Sequence, residues 1–395
     1  MASFLNNLFS SPYKKYNFKD EQFNKDPLAW SRPLVRHHCG EFSMAAIQAN
    51  TDMEDESQVE VGIDALFVGV YDGHKGDAAS IYLIDHIFTE LLRMIQQNNN
   101  SMNEIILRQV VDQMETDFNE FARNSFEQHH EVQNSFVSSG CLICIIWKGT
   151  LFVANVGDSR AILGSQKGIG KRLVVKQMVR DHSFLNPNIK QEFTELHPDY
   201  NNRSRYQSIE VKGLIETSRC IGYAYMKNAQ FTKRRSFEIP LSEVVTPTFT
   251  RPLLSSQPDV YSTVLRDSDR FIIFGSGGFW KLISNEKAAR VVNTSPRDRI
   301  AERLVTLALE KGAAKRGKKY RDLIKIPKSN CISGNNGNRN YGFRSAYHDD
   351  ITVIVVYLDQ RLNREGVTPE INSYTGYDYA VQQSEFTNFY NNANA

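Results

Sequence analysis

Short apolar runs and longer stretches of helical period alternate along this chain. Leu66 to Tyr71 is a compact apolar run, rich in β-branched and aromatic residues and closed by Gly73. Such a run predicts a strand buried on both faces. Glu41 to Gln48, Leu173 to Met178, Val260 to Val264, Arg270 to Phe274 and Ile351 to Leu358 predict further strands. Gly140 to Trp147, Leu151 to Asn155 and Arg160 to Leu163 predict a series of hairpins, punctuated by Lys148-Gly149 and Gly157-Asp158-Ser159. From Asp77 to about Gln97 the apolar residues Ile81, Ile84, Ile87, Phe88, Leu91, Leu92 and Ile95 fall at helical spacing. A second helical pattern runs from Met102 to about Gln128. Two long tandem helices suggest an antiparallel pair laid on a sheet. Asn186-Pro187, Ser284 and Ser295-Pro296 each read as a helix start, the first and last with Pro at the first helical position.

The polar intervals divide the chain. Residues 1–39 read as a loose arm, 40–358 as one α+β domain, and 359–395, rich in Asn and Tyr, as a disordered tail. Residues 228–250 form a polar insertion and 329–341 an Asn/Gly-rich loop; both are docking surfaces in prospect, as loops around a rigid site set partners. Asn50 to Glu56 is an acidic turn.

Composition narrows the class. The 395 residues, 41% hydrophobic, suffice for a large core, and the formal charge of +2 leaves no segment basic enough to track a nucleic-acid backbone. No apolar run reaches the ~18 residues that span a bilayer. The start has no signal-peptide core, and Ala2 excludes N-myristoylation. Five scattered cysteines point to a reducing compartment. Cys141 and Cys144 form a C-x-x-C, but within a strand they point to opposite faces and make no redox pair or zinc half-site. A monomeric intracellular protein is expected.

Chemistry concentrates where the first buried strand ends, at Asp72-Gly73-His74. A carboxylate, a residue whose carbonyl can approach a metal, and an imidazole together suit a hard cation such as Mg²⁺ or Mn²⁺ with a proton donor beside it. The acids of the 50–56 turn read either as solvated or as carboxylates holding metal-bound water.

These motifs resemble the metal-dependent type 2C protein serine/threonine phosphatases, over roughly residues 40 to 358, and among them a plant subgroup. The resemblance rests on GEFSMA at 40–45, QAN at 48–50, VYDGH at 70–74, ANVGDSRAILG at 154–164, LHPD at 196–199, the SRxIG block at 218–222 and HDDITV at 348–353. It implies a four-layer α-β-β-α sandwich of two antiparallel sheets flanked by helix pairs. At one edge it implies two Mg²⁺ or Mn²⁺ ions and a metal-bridging water that attacks a phosphoserine or phosphothreonine. Carried over, Asp72 bridges the ions, Gly73 ligates through its carbonyl, Asp349 is a terminal ligand and His74 protonates the leaving oxygen. Glu54 and Asp55 match acids that orient metal waters, and Asp158 matches an acid near a third metal position. Phosphorylated proteins are the implied partners, in the cytoplasm or nucleus and, by analogy, at the periphery of the plasma membrane.

The chain also departs from the family pattern. The terminal-ligand Asp of an SDGLW block is Gly277, and the acid after its Trp is Lys281. Tyr223 replaces the Asp of SRxIGD, Lys75 interrupts DGHGG, and Asn50 stands where most members carry a phosphate-binding Arg. Losing one carboxylate and exchanging another for Lys makes the site three units more positive. An ammonium ~6 Å from a cation is repelled by a few kcal/mol at an effective dielectric near 20. Two outcomes stay open: a weakened or single-metal phosphatase, or a pseudophosphatase that binds phosphoproteins. Lys281 either fills the emptied position, holding Asp72, Asp158 or Asp349, or swings to solvent while water replaces the missing oxygen.

Overall fold

The computed structural model describes residues 23–129, 133–198, 216–228, 251–328, 343–359 and 368–393. Residues 229–250, the 329–341 loop, Asp199 and the first 22 residues lie outside them. In chain order the strands are β1 (Ala29–His37), β2 (Gly40–Ile47), β3 (Asp55–Val61), β4 (Ala65–His74), β5 (Ser138–Ser139), β6 (Cys141–Trp147), β7 (Thr150–Val156), β8 (Arg160–Lys167), β9 (Arg172–Gln177), β10 (Ile221–Gly222), β11 (Asp259–Val264), β12 (Asp269–Gly275), β13 (Ile351–Tyr357), β14 (Asn372–Thr375) and β15 (Gln382–Gln383). The helices are α1 (Ala78–Gln97), α2 (Glu104–His129), α3 (Pro187–Leu196), α4 (Ala224–Lys227), α5 (Gly277–Trp280), α6 (Asn285–Thr294), α7 (Ile300–Ala314), α8 (Tyr320–Leu323) and α9 (Phe386–Ala393).

Two antiparallel sheets result. The first has the order β1-β2-β13-β12-β8-β9 and the second β11-β7-β6-β4-β3-β14-β15, with β5 and β10 attached at the end of β4. Their facing sides interdigitate through Phe42, Met44, Val68, Cys144, Ile272 and Ile354. The outer face of the first sheet packs on α6 and α7 through residues such as Ile273, Val353, Val292 and Leu304. The outer face of the second packs on α1 and α2 through Phe67, Ile143, Leu91 and Val110. This is the expected α-β-β-α sandwich. Strand alternation puts Cys141 on the helix side and Cys144 between the sheets, so the C-x-x-C makes no pair.

Several expectations need correction. The hairpin series ends at β7: β7 pairs with β6 and β11, whereas β8 lies in the other sheet between β12 and β9. The chain crosses between sheets at Gly157-Asp158-Ser159, with Gly157 at φ +109°, a conformation that favours glycine. Asp158 is thereby delivered to the seam between the sheets. The acidic turn is shorter than expected, because Asp55 already begins β3. Ser57, Gln58 and Glu60 are polar yet buried, so hydropathy gave no sign of that strand. Ser295 closes α6 instead of opening the next helix, which starts at Ile300, because Arg297 is drawn aside to Glu41 and Asp359.

Neither end of the chain is loose where it is described. Within the expected arm, β1 pairs with β2 from Ala29 to His37. Within the expected disordered tail, β14 extends the second sheet on β3, and α9 packs Phe386 against Phe88 and Phe389 against Trp147. Between them Tyr377 and Tyr379 contact Trp30, and Arg32 donates to the carbonyls of Asp378 and Ala380. The tail thus straps the edge of one sheet to the edge of the other. Its few apolar residues are enough because a strand edge and a helix surface already await them.

Glu60 sits under this strap, buried, and accepts a 2.6 Å hydrogen bond from Ser373. Burial pushes its carboxyl up from 4.5 to about 7. The folded state therefore holds a proton there that the unfolded chain releases, and stability falls as pH rises from about 4.5 to about 7. Glu60→Gln should flatten that decline in urea-unfolding free energies measured across the window. Parallel profiles for the two proteins would contradict the assignment.

Candidate functional site

The site lies at one edge of the sandwich, where strands of both sheets end. Asp72 and Gly73 close β4 in the second sheet; Asp349 precedes β13 in the first; Gly277 follows β12; Asp158 lies on the crossing between sheets. Asp72, Asp158, Asp349, Gly277 and Lys281 are thus brought together from four distant segments.

Local geometry fixes each of them. The end of β4 lies so close to β3 that a Cβ on Gly73 would stand 2.3 Å from the Glu54 carbonyl oxygen, a packing reason for glycine at this position. Asp55 faces Asp72 directly across β3 and β4. It accepts from the Thr352 hydroxyl at 2.9 Å. Asp350, the second Asp of the HDDITV block, is buried. It accepts from the backbone of Ala49, Asn50 and Glu54 at 2.6, 3.1 and 2.8 Å. It staples the 49–54 turn and leaves Asp349 free to face the site. Asn50 spans the gap by donating to Asp349 at 3.1 Å. Ser276 is tied to Thr352 in both directions at 3.0 Å, and the Trp280 indole donates to the Gly275 carbonyl at 2.9 Å. The short α5 is held firmly, and it ends at Lys281.

Lys281 turns inward. Its ammonium lies 2.6 Å from Glu216, 3.4 Å from Asp349 and 3.8 Å from Asp158. Desolvation works against the charge, but Asp158, Asp349 and Glu216 outweigh it and hold the ammonium well above its ordinary value. The Gly277 amide donates to Asp72 at 2.7 Å. The space beside Gly277 is taken: a Cβ there would meet the Asp158 carboxylate oxygen at 2.4 Å.

The remaining acids are under-compensated. Burial, then Asp158, pushes Asp72 up to about 7. Burial, then Asp350 and Asp349, pushes Glu54 up to about 8. Asp55 is raised by burial and by Asp72. Asp349 is raised by desolvation, but Lys281 and Asn50 outweigh it and hold it below its ordinary value. Asp158 Oδ1 is buried with no hydrogen-bond donor among the described residues. One ammonium does not neutralise this set. These donors suit one hard cation beside Asp72. They do not fit a pair, because Lys281 stands between Asp158 and Asp349.

Two expected positions differ from the rest. His74 adjoins Asp72 at the strand end, its Nδ1 buried without a partner among the described residues. Tyr223 is not gathered with the acids. It packs beside Cys220, Tyr225 and Phe184 in a separate small core, one residue beyond the Gly222–Ser138–His74 strand pairing. Sequence reasoning missed Glu216, two residues before the SRxIG block, and the stapling role of Asp350, for which the doubled Asp was the only signal.

The comparisons agree with the fold. A family model described as protein phosphatase 2C matches residues 36–317. This chain belongs to the protein phosphatase 2C family. Among plant members, "Probable protein phosphatase 2C 43" of Oryza sativa subsp. japonica is 41% identical over 88% of this chain and 85% of its own length. "Probable protein phosphatase 2C 68" of Arabidopsis thaliana is 40% identical over 92% of this chain and 89% of its own length. The solved serine-threonine phosphatase 2C from Toxoplasma gondii shares the fold at a TM-score of 0.55, with 18% identity over 84% of this chain and all of its own. Among the described residues no helix is long and apolar enough to cross a membrane.

Proposed function

We propose that this 2C-family chain acts on phosphoserine and phosphothreonine of proteins, and that its hydrolysis is strongly attenuated. One observation carries the reading: an ammonium, that of Lys281, stands 3.4 Å from Asp349 and 3.8 Å from Asp158, where the family pattern has an acid. Asp72, the Gly73 carbonyl and Asp349 are the donors this chain would offer a single Mg²⁺ or Mn²⁺. When bound, such an ion activates water and neutralises phosphoryl charge. His74, at the end of β4, would give a proton to the leaving seryl or threonyl oxygen. Asn50 and Lys281 compete for Asp349, which weakens its use as a ligand.

The crowding beside Gly277 favours a second reading. With Asp158 in the space a ligand side chain would need, the site has contracted, and Lys281 offers phosphoryl oxygens a fixed positive charge. In that case the protein is a regulatory module that binds phosphoproteins without cleaving them.

Mn²⁺-dependent turnover of a phosphoserine peptide, run beside an active family member, tests the first reading. The expected rate rises with Mn²⁺ yet stays at least ~10-fold below that member. Equal rates would refute attenuation. Peptide binding in calorimetry with no turnover at any Mn²⁺ concentration would select the second reading.

A further inference from the structure

The hairpin joining β1 to β2 carries His37, His38 and Cys39 in succession, at the far end of the sandwich from the acids. The seven residues of β13 run from the acidic edge to Tyr357 beside this hairpin, so the two places lie roughly 20 Å apart at ~3.3 Å per residue. One donor atom from each of the three residues lies within 4.8 Å of the other two. His37 is buried, and its Nε2 is 3.1 Å from the Tyr357 carbonyl oxygen. That nitrogen therefore carries the proton, and Nδ1 turns its lone pair toward Cys39, 3.4 Å from the amide and 3.7 Å from Sγ. A backbone carbonyl fixes one imidazole nitrogen, as for a ligating histidine, and the other accepts a long 3.4 Å bond from the Cys39 amide that a cation would displace.

His38 adds an independent sign. Its Nδ1 is buried and has no hydrogen-bond partner among the described residues. The rings of His37 and His38 lie edge to face with centroids 5.6 Å apart. Beside them a cavity of about 340 Å³, bordered by His38, Cys39, Asp64 and Asp359, opens the site to water.

We propose that His37, His38 and Cys39 form a binding site for a borderline-soft divalent cation of the Zn²⁺ type, with a water from the adjoining cavity as fourth ligand. Two imidazoles and a sulfur select zinc over the hard cations that suit the carboxylates at the other edge. On binding, the S–H proton passes to solvent as the S–Zn bond forms. The bound ion would pin the β1–β2 hairpin beneath Tyr357, away from the phosphoryl site.

Titrating the full-length, metal-free protein with Co²⁺ as probe tests this. One equivalent should produce a thiolate-to-cobalt charge-transfer band in the near ultraviolet with the d–d absorption of a tetrahedral centre, displaced by Zn²⁺. Cys39→Ser should abolish the band, and His38→Gln, at a partly exposed position, should weaken Zn²⁺ binding at least ~10-fold, both with the wild-type circular dichroism spectrum. Absence of the band in the wild type, its survival in Cys39→Ser, or unchanged Zn²⁺ affinity in His38→Gln overturns the proposal.

Discussion

Replacing Gly277 and Lys281 together by Asp raises Mn²⁺-dependent phosphopeptide turnover by roughly 10- to 100-fold, the range that metal-site partners command. The double change makes the site three units more negative: one from position 277 and two from position 281. It removes the ammonium now 3.4 Å from Asp349 and supplies two oxygen donors. The same change should make the fold metal-dependent. An Asp at 277 must push aside the Asp158 carboxylate, which lies 2.4 Å from its Cβ position, and without Lys281 the acids repel one another. Without metal, the variant should melt below the wild type. Mn²⁺ at 100 times its dissociation constant should then return about 2.7 kcal/mol, while the wild type responds far less. Thermal unfolding with and without Mn²⁺, beside the turnover assay, reads both effects. If Mn²⁺ restores the melting temperature but turnover does not rise, the lost ligands are not what limits hydrolysis.

Arg344→Met costs about 3–5 kcal/mol of folding stability, the expected cost of breaking a buried ion pair. Arg344 is fully buried and grips Asp26 through two bonds, one of them 3.1 Å. Asp26 also accepts from the Tyr320 hydroxyl at 3.0 Å. Removing the guanidinium leaves that carboxylate charged in a dry interior. Replacing both partners with apolar residues, as in Asp26→Leu/Arg344→Met, should recover most of the loss, since the pair itself is nearly neutral in net worth. Urea unfolding of the three variants decides this; a double variant no more stable than Arg344→Met would refute it. The network reaches the site: Arg344 Nε donates to His348 at 3.0 Å, and His348 Nδ1 donates to the Asp349 carbonyl at 2.7 Å. Burial, then Arg344, holds His348 down at about 4, which keeps Nε2 an acceptor. The segment bearing Asp349 is therefore positioned by a residue from the expected loose arm.

Much of the fold was legible because its signals are local. The run from Leu66 to Tyr71, the two helical stretches and the HDDITV strand declare themselves within a few residues. β3 did not, because Ser57, Gln58 and Glu60 are polar residues buried by partners far along the chain. The strap from Asn372 to Ala393 did not either. Tyr374, Phe386 and Phe389 form no periodic pattern, and each is ordered by a surface that exists only once the sandwich is built. The transfer of β8 to the other sheet was equally hidden: the polar turn before it reads like a hairpin turn, and only strand pairing distinguishes the two.

The sequence by itself determined the family and the place of Asp72, Gly73, His74 and Asp349 at strand ends. Those are matters of residue identity and short-range pattern. It left open where the Lys281 ammonium goes, because a four-carbon stem reaches solvent or site with equal ease. Tertiary structure decided that question. Trp280 pins the end of α5, and Glu216, Asp158 and Asp349 arrive from three other segments to surround the charge. Their combined attraction draws the ammonium of this partly exposed side chain over the site, where it stands within 4 Å of Asp158, Asp349 and Glu216.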